Sequence, residues 1–233
     1  MTEYTLIIPY YDQPEMLARQ MAEVEKYPDG VKVIVVDDGS PNYPAGNLPV
    51  TLFRIDEDIP WNREQARNIG AYMCETEWMV QVDIDHILPA ESAAALLEYT
   101  PTRWARFPRW RVGAADETRK KDKIHHRKKF GQIHPHIDSY LISREQFMAS
   151  PYDERYAGCL GGGTPFLERQ KQLYGEPALL PEEICLHVYT SHEVSDSSIA
   201  TLSRDKAEYQ RRRAEICDAK PETILHHPWR IVQ

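Results

Sequence analysis

The sequence predicts an α/β fold with a central, mostly parallel sheet flanked by helices. Four short apolar runs have the composition of buried parallel strands, at residues 5–9, 31–36, 50–55 and 78–82. Stretches with apolar residues at helical spacing separate them, and strands that alternate with helices form parallel sheets. The chain of 233 residues fits one such domain, and a core of this size can bury most of the apolar surface.

Each predicted helix has its own start signal and apolar stripe. Asp12 and Pro14 are typical of a helix start, and Leu17, Met21 and Val24 recur at helical spacing after them. Asn62 and Gln65 have the spacing of a capping box before a second helix, whose stripe is Ala66, Ile69, Gly70 and Met73. Pro89 opens a third helix. From about residue 101 to 132 the pattern gives way to charged residues, Trp and His, before a strand at 139–142 and a polar helix at 204–216.

Composition narrows the cellular context. No run approaches the roughly 20 apolar residues that span a bilayer, and the first residues lack the basic start of a secretion signal. We therefore expect a cytoplasmic protein without a transmembrane segment. The four cysteines are widely spaced and form no CxxC pair, which favours buried free thiols over a zinc site.

Positive charge is concentrated in one segment of an acidic chain. The net charge is −8, yet residues 103–129 hold eleven Lys or Arg against three Asp or Glu. Arginine and aromatic residues alternate in its first part, at Arg103-Trp104, Arg106-Phe107 and Arg109-Trp110-Arg111. A charge run is usually a solvated loop, but this contrast within an acidic chain favours an anionic partner.

Unusual polar residues follow three predicted strands, at residues 9–12, 37–39 and 83–85. Ligands of open α/β sheets bind beyond the carboxyl ends of the strands. Each segment alone is compatible with an ordinary turn or helix cap. The three together favour a binding site at one edge of the sheet. Asp83 and Asp85 could converge on one cation, and hard oxygen ligands suit Mg²⁺ or Mn²⁺.

The ordered set of motifs resembles the family 2 glycosyltransferases of GT-A fold, over roughly residues 5 to 192. The resemblance is carried by Ile7-Ile8-Pro9-Tyr10-Tyr11, Val33-Ile34-Val35-Val36-Asp37-Asp38-Gly39-Ser40-Pro41, Ala66-Arg67-Asn68-Ile69-Gly70, Asp83-Ile84-Asp85, Ser139-Tyr140-Leu141-Ile142-Ser143-Arg144 and Tyr152-Asp153-Glu154-Arg155-Tyr156. It implies a Rossmann-like GT-A domain. Residues 1–100 would be its nucleotide-sugar-binding half, residues 101–195 its acceptor-binding half, and residues 196–233 a C-terminal helical tail.

The resemblance also implies roles for individual residues. Pro9, Tyr10, Tyr11, Asp38 and Arg67 would lie at the nucleotide. Asp83 would contact the ribose or the metal, and Asp85 would ligate a Mn²⁺ or Mg²⁺ ion at the diphosphate. His187 resembles a third metal ligand that some GT-A enzymes add, although a structural histidine is an equally good interpretation, and His192 is a weaker substitute.

The chain departs from the family at its last motif. Anchored on residues 166–169, the Glu-Asp pair that supplies the usual catalytic base falls on Gly162 and Gly163. An inverting transfer needs a base within hydrogen-bond reach of the acceptor. Another carboxylate could serve, namely Asp138, Asp153 or Glu168. The transfer could instead be retaining, or the protein could be inactive, with the glycines admitting an acceptor or phosphate to the backbone.

These expectations define the function that the sequence favours and its rivals. We expect a metal-dependent glycosyltransferase that moves a sugar from a nucleotide-diphosphate sugar to an anionic acceptor, such as modified DNA or a phosphate-bearing glycan or lipid. Residues 103–129 would bind this acceptor, with bases stacked on Trp104 or Trp110 if it is a nucleic acid. The first rival is a non-catalytic nucleotide-sugar-binding protein, favoured by Gly162-Gly163. The second rival is a nucleotidyltransferase. An enzyme of that class would be expected to have a Gly-rich loop with Lys or Arg after its first strand, and residues 9–12 of this chain contain neither.

Overall fold

A computed structural model describes most of the chain. It covers residues 2–42, 44, 47–59, 61–112, 132–158, 162–189, 210–211, 214 and 227–232. Most of the Lys residues of the basic segment, and His192, lie outside these ranges.

The described residues contain helices and strands in the predicted alternating order. The helices are α1 (Pro14–Val24), α2 (Arg63–Met73), α3 (Ala90–Glu98), α4 (Arg144–Ala149) and α5 (Gly163–Tyr174), with a 3-10 turn at Glu154–Tyr156. The strands are β1 (Tyr4–Tyr10), β2 (Val31–Asp37), β3 (Thr51–Ile55), β4 (Trp78–Gln81), β5 (His86–Ile87), β6 (Ala105–Arg106), β7 (Arg109–Arg111), β8 (Gln132–Ile133), β9 (Tyr140–Ser143), β10 (Ala178–Leu179), β11 (Leu186–Val188) and β12 (Trp229–Ile231).

The main sheet confirms the predicted fold class. Its eight strands have the order β10-β6-β9-β4-β1-β2-β3-β12. Strands β4, β1, β2 and β3 are parallel neighbours, whereas β9 and β12 run antiparallel to β4 and β3. Strand β1 is buried along its whole length because helices cover both faces of the sheet centre. The carboxyl ends of β4, β1 and β2 therefore meet at one edge.

Helix α2 packs unusually close to the sheet. A Cβ atom at Gly70 would lie 2.3 Å from Cγ2 of Ile7 on β1, so only glycine allows this approach. Ala66 and Ile69 lie on the same buried face. The close packing brings the first turn of α2 next to the carboxyl ends of the strands.

A second sheet forms where the sequence pattern is irregular. Strands β5, β11, β7 and β8 pair in that order, and β7 and β8 lie within residues 101–133. Strands of two or three residues are too short to show an alternating pattern. The sequence therefore did not reveal them. This sheet places β5, which directly follows Asp85, beside β11 and β7.

The C-terminal residues differ from the predicted helical tail. Gln210, Arg211 and Ala214 are helical, but Trp229–Ile231 forms β12 and pairs with β3 at the edge of the main sheet. Trp229 packs edge-on against Phe53, with ring centroids 5.7 Å apart. Within the predicted helical tail of residues 196–233, the described segment Trp229–Ile231 is therefore a strand, which this apolar contact helps to hold against β3.

The two predicted helix caps also differ from expectation. Gln13, not Asp12, is the N-cap of α1, and Asp12 has a positive φ of 40°. Asn62 donates from its side-chain amide to Gln65 Oε1 at 2.9 Å and caps no backbone N–H of α2. Neither helix therefore has a side-chain cap at its N-terminus.

Two further findings concern the composition. Among the described residues, no helix is long and apolar enough to cross a membrane. Cys74 is a buried free thiol and Cys185 is a half-buried one, as predicted, whereas Cys159 and Cys217 lie outside the described ranges.

Candidate functional site

The three polar segments converge at the carboxyl edge of the main sheet. The backbone N–H of Asp38, after β2, donates to the carbonyl of Tyr10 at the end of β1, at 2.8 Å. The backbone N–H of Asp12 donates to Ser40 Oγ at 2.9 Å. Since β4 lies on the other side of β1, Asp83 and Asp85 face the same crevice.

The neighbouring residues Asp37 and Asp38 have different environments. Asp37 accepts hydrogen bonds from Arg54 at 2.6 Å and from the Ser40 N–H at 3.0 Å, which fixes the turn. Asp38 accepts from the Asn62 N–H at 3.0 Å through Oδ2, while its buried Oδ1 has no hydrogen-bond partner among the described residues. Burial, and then the charge of Glu64, raise the pKa of Asp38 well above its ordinary value.

The aromatic residues of the first motif lie at the same edge. Tyr10 is buried as the last residue of β1, next to Pro9. Tyr11 is half-buried and donates to Asp58 Oδ1 at 3.0 Å. Burial and this hydrogen bond raise the pKa of Tyr11 to about 12. The three residues therefore lie at the end of β1, next to the turn that carries Asp38.

Arg67 connects α2 to the end of β4. It is fully buried, donates to Gln81 Oε1 at 3.2 Å and forms a short salt bridge with Asp83. Its guanidinium also lies 5.9 Å from the ring centroid of Tyr152. Arg67 therefore fixes the side chain of Asp83.

Asp83 lies at the centre of a group that includes two histidines. His136 Nδ1 is 3.1 Å and His86 Nδ1 3.8 Å from Asp83 Oδ2. One ligand atom from each of Asp83, His86 and His136 lies within 4.8 Å of the others. Burial alone would raise the pKa of Asp83, but Arg67 and the two histidines hold it well below its ordinary value. Asp83 is therefore ionised, as a metal ligand would have to be.

Asp85 is the more exposed carboxylate of the pair, with 40% of its side chain accessible. Burial, and then the neighbouring charge of Asp83, raise the pKa of Asp85 to about 6. Two carboxylates that repel each other at one edge are stabilised by a cation between them. The group of potential ligands contains Asp83 and the imidazoles of His86 and His136, and it does not include Asp85. Nitrogen donors suit Mn²⁺, which accepts nitrogen more readily than Mg²⁺ does.

His86 is a neutral imidazole held on both ring nitrogens. Nδ1 lies 2.7 Å from Ser139 Oγ, and Arg109 Nη1 lies 2.8 Å from Nε2. Burial lowers the pKa of His86 to about 3 despite the opposing charge of Asp83. Neither His86 nor His136 was singled out from the sequence. The position of His86 directly after Asp85 was an available signal, whereas His136 comes from a distant loop.

His187 lies in β11, opposite Ile87 of β5. It is half-buried, and its charge is among the minor causes that lower the pKa of Glu23. The group formed by Asp83, His86 and His136 does not include it. Its metal-ligand role stays a prediction, and His192 lies outside the described residues.

Buried polar atoms without hydrogen-bond partners collect around the first turn of α2. Among the described residues they include Asp38 Oδ1, Trp61 Nε1, Asn62 Oδ1, Arg67 Nε and both carboxylate oxygens of Glu64. Such atoms are rare in folded proteins because each costs free energy. Trp61 also has a φ of 58°, a strained value that concentrates at functional sites. These atoms indicate a polar ligand site.

The glycines that replace the acidic pair begin α5. Gly162 is the N-cap and Gly163 the first residue of the helix. Of the candidate bases, Asp138 is buried and accepts from Tyr152 Oη at 2.9 Å. Asp153 forms a salt bridge with Arg155 at 2.6 Å, and Glu168 is exposed on α5. Asp138 is therefore the candidate of the three that faces the site, because Arg63 joins it to Asp83.

The described part of the basic segment has a structural role. Trp104 and Phe107 are fully buried, and Trp104 Nε1 donates to the Gly175 carbonyl at 3.0 Å. Stacking of a base on Trp104 is therefore a wrong expectation, because the ring belongs to the core. Trp110 is half-buried in β7, and its stacking role stays a prediction.

Two arginines of the segment hold the loop that carries His136. Arg106 Nε donates to the His136 carbonyl at 3.2 Å, and Arg109 Nε donates to the His134 carbonyl at 2.7 Å. Arg109 also contacts His86. These contacts explain how residues 50 apart along the chain meet at one aspartate.

A parallel α/β sheet with paired aspartates at its carboxyl edge defines a nucleotide-binding class of fold. The sequence profile of Glycosyl transferase family 2 matches residues 5–154. The chain therefore belongs to this family. A comparison with curated proteins finds no match.

Solved structures share the fold at low sequence identity. S. aureus TarS 1-349 in complex with UDP-GlcNAc is 13% identical with a TM-score of 0.66, over 95% of this chain and 68% of that one. The mannosyltransferase PcManGT from Pyrobaculum calidifontis, in complex with GDP-Man and Mn2+, is 16% identical with a TM-score of 0.55, over 91% and 61%. In the TarS 1-349 structure without that donor the match spans 60% of the TarS chain. These likenesses confirm the GT-A fold.

Proposed function

We propose that this protein transfers a sugar from a nucleotide-diphosphate sugar to an acceptor, with a divalent metal assisting departure of the nucleoside diphosphate. The observation that supports the proposal is that Asp83 and Asp85 follow β4 and Asp38 follows β2, on either side of β1 at the carboxyl edge of the sheet. Structural neighbours bind UDP-GlcNAc or GDP-Man, which supports a donor of this class.

The nucleoside would bind along the ends of β1 and β2. Asp38 Oδ1 is buried and has no hydrogen-bond partner in the described part of the chain, so it can accept from an N–H of the base. Pro9, Tyr10 and Tyr11 would form the wall beside it. Arg67 already binds Asp83 and Gln81. It would therefore act on the nucleotide indirectly, by holding Asp83 in position.

The metal would be held by Asp85 and Asp83, with His136 as a nitrogen ligand. His86 would join them only by exchanging its contact with Ser139 or Arg109 for the metal. His187 stays a proposed additional ligand. When bound, Mn²⁺ or Mg²⁺ supplies Lewis-acid stabilisation of the negative charge on the departing diphosphate. Arg67 would hold Asp83 ionised and correctly oriented, and Ser139 would hold the ring of His86. These contacts of Arg67 and Ser139 would hold the ligand side chains in place before the metal binds, and so lower the entropy lost on binding.

The test is binding of UDP, GDP and their sugars by calorimetry, with and without Mn²⁺. We expect binding that requires the metal and is lost in Asp85→Ala. A matched control is Asp29→Ala, an exposed aspartate before β2 at the opposite edge of the sheet. Tight binding by Asp85→Ala in the presence of EDTA would contradict the metal assignment.

We further propose an anionic acceptor that binds through residues 103–129. The support is the charge of this segment in the sequence, since Lys120, Lys121, Lys128 and Lys129 lie outside the described residues. Binding to duplex DNA or another polyanion should weaken steeply with salt, with a log–log slope of about −0.9 per phosphate contact for DNA. Replacing the four lysines with Glu should remove this binding and preserve nucleotide binding. Retention that does not respond to salt would indicate a neutral acceptor.

The alternative function is nucleotide-sugar binding without transfer, favoured by Gly162 and Gly163 in place of the usual acidic pair. Release of UDP or GDP from the donor, with water as the acceptor, separates the two functions. A protein that binds the donor and Mn²⁺ and releases no nucleotide would fit the alternative. The cytoplasmic location that the sequence predicts stays a prediction.

A further inference from the structure

Two carboxylates fill the space beside the glycines at the start of α5. A Cβ atom at Gly162 would lie 2.4 Å from Oε1 of Glu64, and one at Gly163 would lie 2.2 Å from Oδ1 of Asp138. A side chain at either glycine would therefore displace a carboxylate. Acidic groups reach this place from α2 and from the loop before β9.

The position of α5 relative to these carboxylates is fixed by an aromatic stack. Phe166, in the first turn of α5, stacks on Tyr152 with ring centroids 4.1 Å apart and on Tyr140 at 5.3 Å. Tyr152 in turn donates to Asp138 Oδ1 at 2.9 Å. The approach of Gly162 to Glu64 therefore follows from the packing of the core.

Glu64 differs from Asp138 in how its charge is satisfied. Asp138 accepts from Tyr152 and forms a salt bridge with Arg63 at 3.0 Å. Glu64 is fully buried, and neither of its oxygens accepts a hydrogen bond from another described residue; its own backbone N–H is the one donor that acts on the carboxylate. Arg63 Nε lies 3.5 Å from Oε1. A buried carboxylate without hydrogen bonds is costly, so it indicates a site that a ligand completes.

Charged groups from three elements surround Glu64. Arg63 and Arg67 lie on its own helix, Asp138 on the loop before β9, and Asp38 after β2. Arg63 also reaches Asp83, with Nη1 4.0 Å from Oδ1. Glu64 is therefore separated from the proposed metal site by one guanidinium.

The protonation equilibrium of Glu64 suits proton transfer near neutral pH. Burial raises its pKa to about 7, although Arg63 acts in the opposite direction. A general base is most effective when its pKa lies near the working pH.

We propose that Glu64 is the base that accepts the proton of the acceptor nucleophile, in the place left open by Gly162. This inference rests on the proposed sugar transfer. The acceptor oxygen forms a bond to the anomeric carbon of the donor sugar as the bond from that carbon to the diphosphate breaks. The bonding electrons leave with the nucleoside diphosphate. The acceptor proton passes to the Glu64 carboxylate and then to solvent. Asp138 holds Arg63 and is a positioning residue.

The first experiment uses water as the acceptor and measures release of UDP from UDP-GlcNAc and of GDP from GDP-Man with Mn²⁺. In Glu64→Gln we expect release to fall at least about 100-fold, the lower range for loss of a general base. The dissociation constant for UDP or GDP should change by less than about twofold. The wild-type rate should rise with pH up to about 7, and the variant should lose this dependence. Glu98→Gln, an exposed glutamate at the end of α3, is the matched control.

Two further measurements separate proton transfer from a structural role. Azide is already an anion and needs no base, so it should restore nucleotide release in Glu64→Gln. In the paired variant Glu64→Ala with Gly162→Glu, a carboxylate enters the same space from α5. We expect the paired variant to release nucleotide at least about tenfold faster than Glu64→Ala alone. This would restore part of the roughly 100-fold loss expected when the base is removed.

The outcomes distinguish this inference from the proposed function. Normal release by Glu64→Gln would overturn the role of Glu64 and leave sugar transfer in place. Loss of nucleotide binding together with release would assign Glu64 to the donor pocket and also overturn its role as the base. A wild-type protein that binds donor and Mn²⁺ but releases no nucleotide would overturn the proposed transfer, and the inference with it.

Discussion

Residues 2–100 and residues 101–189 contribute to the same crevice in different ways. In the first region, Asp38 directly follows β2, and Asp83 and Asp85 lie in the short segment between β4 and β5. In the second, His136 reaches Asp83 only because Arg106 and Arg109 bind its loop. The comparison teaches that repeated βα units place site residues by local rules. Residues 101–189, whose short strands pair in both directions, place them through long-range contacts.

The largest expected effect is on stability, and it compares two tryptophans of the basic segment. Trp104 is fully buried and Trp110 is half-buried, although both follow arginines in sequence. Trp104→Ala should lower the free energy of unfolding by about 3–5 kcal/mol, the usual cost of removing a large core aromatic. Trp110→Ala should cost clearly less. Equal losses in urea denaturation would show that the two rings have the same environment.

The next effect concerns the stability cost of the buried carboxylate of Glu64. Its pKa is raised from 4.5 to about 7, so the folded state holds a proton that the unfolded state releases between these values. Stability should therefore fall as pH rises from about 4.5 to 7 and stay low above. Glu64→Gln should recover up to about 3 kcal/mol at pH 8, since one pKa unit is about 1.4 kcal/mol.

Thermal unfolding of Glu64→Gln and of the wild type across pH 4 to 8 tests this dependence. The two curves should converge at the acidic end, because both side chains are then neutral in both states. A stability difference that does not change with pH would mean that the pKa of Glu64 is the same in the folded and unfolded states.

A smaller effect is expected from the two adjacent aspartates after β2. Asp38→Ala should weaken nucleotide binding by about 1–3 kcal/mol, because a buried partner in the base would lose its hydrogen bond. Asp37→Asn should instead lower stability, since Asp37 pairs with Arg54, and should leave affinity nearly unchanged. Calorimetric titration with UDP and GDP measures the first effect and denaturation the second. The reverse assignment would place the pocket elsewhere.

The smallest effect tests whether the second region supplies a metal ligand. His136→Ala should weaken Mn²⁺ binding at least about tenfold, the loss typical even for residues that only orient a ligand. His187→Ala is the informative comparison, because His187 lies in β11 and outside the group around Asp83. A larger loss in His187→Ala than in His136→Ala, measured by Mn²⁺ titration, would favour the ligand set implied by family resemblance.

Much of the fold was predictable from local patterns. The apolar strand runs and the stripes of α1 and α2 identified the parallel sheet, and Leu17, Met21 and Ile69 are buried as expected. The short strands β6, β7 and β8 were missed because two or three residues carry no periodic signal. The strand at Trp229–Ile231 was missed because its partner, β3, lies far away in sequence.

Only part of the candidate site was predictable from the sequence. Asp38, Asp83 and Asp85 were found because they follow strands in a recognisable order. His86, His136 and Glu64 were not, since a histidine or glutamate in a sequence carries no sign of burial or of its neighbours. Trp104 and Phe107 were assigned to a binding surface but lie in the core. Aromatic residues that alternate with arginine occur in both environments, so the pattern could not distinguish them.

The sequence by itself determined the α/β class, the order of the βα units and the strand-end aspartates, because hydrophobic periodicity and turn residues act over short distances. Only the tertiary structure decided which side chains surround those aspartates. The packing of Gly70 on Ile7 and of Phe166 on Tyr152 brings α2 and α5 together. It thereby buries Glu64 against Gly162, more than 90 residues away in sequence. Such contacts depend on how elements distant in the chain fit against one core, which local sequence cannot specify.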